Sequence, residues 1–195
     1  MKLKSIVFAM LLSALACSFC FAEEVKEPWT IYGVDSPMTK LMSSYYKIED
    51  IKVVSVGQDM HHPDDVAVCL YLANATGVNV FKIRDMRIKA QSWMVIMETI
   101  KFNPTNLFTD VKTFTVPSEY THAYREFQKW RANGSYKVTL YDKEVRNLVM
   151  LKFMADRFRF SPISIMQKRT DGETFTDMIQ QQLNKDKTDN TEKGN

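Results

Sequence analysis

The run His61-His62-Pro63-Asp64-Asp65 gathers two imidazoles and two carboxylates in five residues, and these are the ligand types that zinc or copper takes. His61, His62 and Asp64 are therefore the candidate metal ligands. Geometry weighs against them, because adjacent side chains of an extended chain point to opposite sides and only His122 offers another imidazole. A solvated turn accounts for the same residues, and no metal or other cofactor is expected.

Nucleophilic catalysis needs a nucleophile, a base and a group that orients the base. The chain has no Gly-x-Ser-x-Gly elbow and no glycine-rich phosphate loop, its glycines before the C-terminal region being Gly33, Gly57, Gly77 and Gly134. Cys69 with His122 is a conceivable pair. A lone cysteine within an apolar run reads more simply as a small buried hydrophobe, and His122 beside Thr121 as a surface histidine. No catalytic residue is assigned, and the chain is not expected to be an enzyme.

Two stretches carry chemistry of contact. Lys152 to Phe160 interleaves cations with aromatics at period two, so that as a strand it has a basic face and an aromatic one. Lys152, Arg157, Phe158, Arg159 and Phe160 are thus interaction candidates, either for an anionic surface such as lipid headgroups or for strand addition to a partner. A plain amphipathic strand needs neither. In Thr174 to Leu183 the residues Phe175, Met178, Ile179 and Leu183 recur at helical spacing, giving a short terminal helix that docks on the domain or on a partner. Met94, Met97, Met150 and Met154 fill the core or line an adaptable pocket.

The elements that must hold these residues are read from periodicity and punctuation. Ser36-Pro37 opens a helix to about Lys47, with Met38, Leu41, Met42 and Tyr45 on one face. Ile51 to Val56 and Asp65 to Ala73 are rich in β-branched residues and read as a hairpin, the second strand apolar on both faces and so central. Val78 to Lys89 changes parity near Arg84 and Asp85, which suggests a bulge. Trp93 to Phe102 and Val111 to Val116 are read as strands. Pro117-Ser118 starts an amphipathic helix that runs to about Ala132 and stops at Asn133-Gly134. Tyr136 to Tyr141 alternates as a half-buried strand, Asp142-Lys143-Glu144 is its turn, and Leu148 to Phe160 returns. The sum is an α+β fold: a strand-rich antiparallel sheet or sandwich-like body with two or three packed helices. Asn133 to Val138 resembles the tyrosine-corner segment of immunoglobulin-like sandwiches, without the Cys-Trp-Cys framework of that family.

The first 22 residues, MKLKSIVFAMLLSALACSFCFA, have the charge start, short apolar run and small final residue of a cleaved export signal. Cleavage after Ala22 takes 22 of 195 residues and leaves 173, one globular domain over residues 23–184 and a polar tail over 185–195 of disorder composition. It also removes Cys17 and Cys20, leaving Cys69 alone, so no intramolecular disulfide forms. Ala14-Leu15-Ala16 lacks the usual large aliphatic residue at its first position, and lipidation of Cys17 is not expected. Without Lys2 and Lys4 the balance is 24 basic to 23 acidic residues, which gives a nucleic-acid partner no electrostatic support.

A short exported chain of one domain and no catalytic signature resembles the accessory periplasmic proteins of bacterial secretion and conjugation systems, including those of intracellular pathogens. The resemblance implies work through contacts, in secretion or virulence. The expectation is thus a periplasmic, non-enzymatic interaction or assembly protein of the cell envelope. Its partner would be another envelope protein or a second copy in a homodimer, with peripheral membrane contact allowed. The alternative is a periplasmic carrier of an apolar or anionic ligand, and a hydrolase or metal-dependent enzyme ranks third.

Overall fold

A computed structural model describes residues 31–111 and 115–192 of the chain; the expected export signal and the lipidation question at Cys17 lie outside them. Among the described residues there is no strand, and helices take up 71 %, which overturns the expected α+β sheet or sandwich. Nine α-helices follow one another: α1 (Pro37–Tyr46), α2 (Asp50–Asp59), α3 (Pro63–Thr76), α4 (Val80–Ile88), α5 (Trp93–Thr99), α6 (Thr121–Ala132), α7 (Asp142–Phe158), α8 (Pro162–Thr170) and α9 (Phe175–Glu192). Short 3-10 turns cover Pro104–Leu107 and Ser118–Tyr120.

The centre of the fold is α3, which packs against α7, α4 and α2. Its residues Val66 to Leu70 are all buried, with Leu72 and Ala73, so its apolar character runs round the whole helix. A strand apolar on both faces and a helix buried all round share one sequence pattern, and only length separates them. The stretch fills fourteen helical residues, bounded by His62 and Pro63 at the start and by Gly77 in the left-handed region, φ 71°, at the end.

The other expected strands fail for related reasons. In α2, Val53, Val56, Gly57 and Met60 are buried at steps of three, four and seven while Ile51 is exposed, a helical stripe that the β-branched composition disguises. Gly57 is required there, because a methyl group in its place would lie 2.6 Å from Cβ of Tyr32. The parity change expected as a bulge near Arg84 is the ordinary drift of helix α4, which buries Val80 and Ile83. In α5 the buried residues Trp93, Ile96, Met97 and Ile100 keep the same spacing. Asp142-Lys143-Glu144, expected as a hairpin turn, is the first turn of α7, where the Glu144 carboxylate accepts from the Tyr141 N–H at 2.8 Å.

Val138 and Leu140 are buried while Lys137, Thr139 and Tyr141 are exposed, so the alternation expected over Tyr136 to Tyr141 holds. Among the described residues no strand lies beside this segment, and the tyrosine-corner resemblance has no sandwich around it. Helices were correctly expected at two places, from the Ser36 cap and from Pro117-Ser118 to Asn133-Gly134. The expected terminal helix also forms, and α9 extends to Glu192.

Candidate functional site

Two concave regions carry the features of a site, one polar and one apolar. The polar one is built on Asp65, in the first turn of α3 and 3 % exposed. Its carboxylate accepts from Arg87 Nε on α4 at 3.1 Å, from the Trp93 indole N–H on α5 at 2.9 Å and from Arg146 Nη1 on α7 at 3.3 Å. Arg87 is held further by Asp142 and by the Gln91 carbonyl at 3.0 Å, and lies 4.9 Å over the Trp93 ring. Asp142 also accepts from the Trp93 backbone N–H at 2.8 Å. Four helices are thereby fastened at one point by charge-assisted bonds.

Beside this hub opens a cleft of about 410 Å³ lined by Asp59, Met60, His61, His62, Asp65, Arg87, Ile88, Ala90 and Arg146. His61 is exposed at its mouth. His62 caps α3, its Nδ1 accepting from the Asp64 N–H at 3.2 Å; burial, then Arg146, holds its ring below the ordinary range, with Arg169 and Arg87 adding and Asp65 opposing. Asp64 turns inward, and burial raises its carboxyl to about 6 against Arg169 and Arg146. The three metal candidates thus face different surroundings, with His62 Nδ1 and the Asp64 carboxylate 3.9 Å apart. Among the described residues no three His, Cys, Asp or Glu side chains are grouped to hold a metal ion.

Cys69 and His122 do not meet. The thiol is fully buried in α3, and burial raises its pKa, while His122 Nδ1 lies 2.8 and 3.0 Å from the Glu144 carboxylate and its ring stacks on Tyr141 at 4.8 Å. Ser44 and Lys47 have the Ser-x-x-Lys spacing that a Ser–Lys hydrolase uses; both residues are exposed at the end of α1, and Ser44 lines neither concave region.

The interaction candidates are redistributed by the helical fold. Lys152 lies half-buried on α7 with Nζ donating to the Phe108 carbonyl at 3.1 Å, and burial lowers its pKa. Arg157 is exposed, Arg159 ends the helix in the left-handed region at φ 59°, and the Phe158 and Phe160 rings pack 5.7 Å apart. A basic face opposite an aromatic face does not exist at helical pitch. Phe175, Met178 and Ile179 are buried and Leu183 is half-buried against the core, so α9 docks on its own domain.

The apolar region is a groove of about 380 Å³, open to solvent, between α5 and the extended segment. Met94, Phe102, Trp130, Tyr136 and Val138 form its apolar lining together with Val95, which is 47 % exposed. Glu98, Asn103, Lys137 and Thr139 are its exposed polar residues, with Lys137 Nζ and Glu98 Oε1 3.1 Å apart. The far wall is pinned by Glu126 of α6, nearly buried, which accepts from the Thr139 N–H at 3.1 Å, from Tyr136 and from Lys129. Sequence reading gave Met94 but not Trp130 or Tyr136 as partners of one groove, because they come from separate elements. The chain matches no protein-family model, no curated protein and no solved structure.

Proposed function

We propose that the protein is an exported, non-catalytic interaction protein of the bacterial cell envelope, which holds a segment of an envelope protein in the groove between α5 and residues 134–139. The groove itself is the observation that carries this reading. An apolar centre with methionine, tryptophan and tyrosine, ringed by exposed charge, has the anatomy and composition of a protein contact patch.

The alternative of a carrier fits less well. A carrier encloses most of its ligand, whereas this groove is open, and Met97, Met150 and Met154 are buried among core side chains. Carboxylates and guanidinium groups committed to helix caps and interhelical pairs support a framework role over catalysis. The export reading of the first 22 residues supplies the compartment.

A photo-crosslinking side chain placed at Val95 in living cells tests the proposal. The expected result is one discrete adduct with an envelope protein, recovered from the periplasmic fraction, lost on Trp130→Ala and absent when the probe sits at exposed Ile51. An adduct only with a second copy would replace the envelope partner with a homodimer. Monomer alone from the Val95 probe would overturn the reading.

A further inference from the structure

We propose that the polar cleft beside Asp65 binds a carboxylate carried on a short apolar body, with Arg146 as the group that grips it. The cleft's own carboxylates are already matched. Asp65 receives three donors from Arg87, Trp93 and Arg146, and Asp59 pairs with Arg84 at 3.1 Å.

Arg146 is matched only in part. Its side chain is 17 % exposed, yet one Nη1–H to Asp65 at 3.3 Å is its only bond among the described residues. A guanidinium at the wall of a cleft with Nε and Nη2 bonded to no described residue and open to the surface is a fork without its carboxylate. The pair with Asp65 holds it from behind, while Arg87 stacked over Trp93 stiffens the same wall, so little ordering remains to be lost on binding. Met60, Ile88 and Ala90 supply an apolar side, and Ile88 is 47 % exposed although apolar. A carboxylate with an aliphatic tail satisfies both halves, and its source is either a free short-chain acid or the C-terminus of a peptide.

Titration calorimetry with hexanoate and with the tripeptide Gly-Gly-Leu, each against its neutral amide, tests this. The acids are expected to bind at least tenfold more tightly than the amides, the better of the two naming the source. Arg146→Gln should weaken binding at least tenfold, and Ile88→Asn severalfold without changing the melting temperature. Should Arg146→Gln fail to fold, Arg146→Lys keeps the charge, loses the fork and should still weaken binding. No heat with either acid, equal binding of acid and amide, or full affinity in the folded Arg146 variants would overturn the proposal. The site is separate from the groove, so this outcome and the Val95 crosslink stand or fall independently.

Discussion

Asp64 and Asp65 are consecutive carboxylates in the first turn of α3 with opposite surroundings. Asp65 is bonded to two guanidinium groups and an indole, whereas Asp64 is turned inward and raised by burial from 3.8 to about 6. The sign of the pH effect follows. Below about pH 4 the folded and unfolded chains both carry the Asp64 proton, and there is no cost. As pH rises from about 4 to about 6 the unfolded chain releases it while the folded chain retains it, so this group's contribution to stability falls; above about 6 the penalty is constant. At about 1.4 kcal/mol per pKa unit the penalty is at most about 3 kcal/mol, reduced by the favourable field at a helix start. Asp64→Asn is therefore expected to be about 1–2 kcal/mol more stable than the parent at pH 7.5, the advantage vanishing at pH 4. Urea unfolding at the two pH values measures it, and equal stability at pH 7.5 would mean that Asp64 is fully solvated.

At the scale of elements, the turn after α4 holds Ala90 in the left-handed region at φ 58°, with its N–H bonded to the Arg87 carbonyl at 2.9 Å. Glycine adopts that conformation without the steric cost, so Ala90→Gly should stabilise by about 1 kcal/mol and raise the melting temperature by about 2–4 °C. A fall would show that the alanine methyl is worth more to the cleft wall than the strain costs. The same element scale decides what could be read in advance. Helices α1 and α6 were legible because Ser36-Pro37 and Asn133-Gly134 mark ends by local chemistry, which needs no knowledge of the rest of the fold. Helices α3 and α7 read as strands because apolar residues on every face remove the period that distinguishes a helix from a strand, and α2 because its β-branched composition disguises a helical stripe. Tyr136 to Leu140 teaches the complementary lesson. Alternation reports an extended backbone with one side buried, and it says nothing of whether a neighbouring strand exists to pair with it.

For the whole molecule, α9 is docked through its first turns. Phe175, Met178 and Ile179 are buried, and at roughly 2 kcal/mol or more for each large apolar side chain their loss rivals the 5–15 kcal/mol that holds a domain together. Removing residues 185–195 should leave the melting temperature within about 2 °C of the parent, while truncation after Thr174 should abolish cooperative unfolding by circular dichroism. A large loss from the shorter truncation would assign residues 185–195 a structural role. The candidate sites belong to this scale as well, which is why they were illegible: Arg87, Trp93 and Arg146 stand 22, 28 and 81 residues beyond Asp65, and no local spacing signals their meeting. Only His61, His62 and Asp65 of the polar cleft stand together in one motif. Finally, Cys69 is fully buried in α3, against which α7, α4, α2 and α1 pack, and Cys17 and Cys20 leave with the first 22 residues if these are cleaved. The processed chain then carries a single sulfhydryl, silent until its central helix opens, and the rate at which an alkylating reagent consumes it is a direct clock of that opening, readable in the cell without any engineered label.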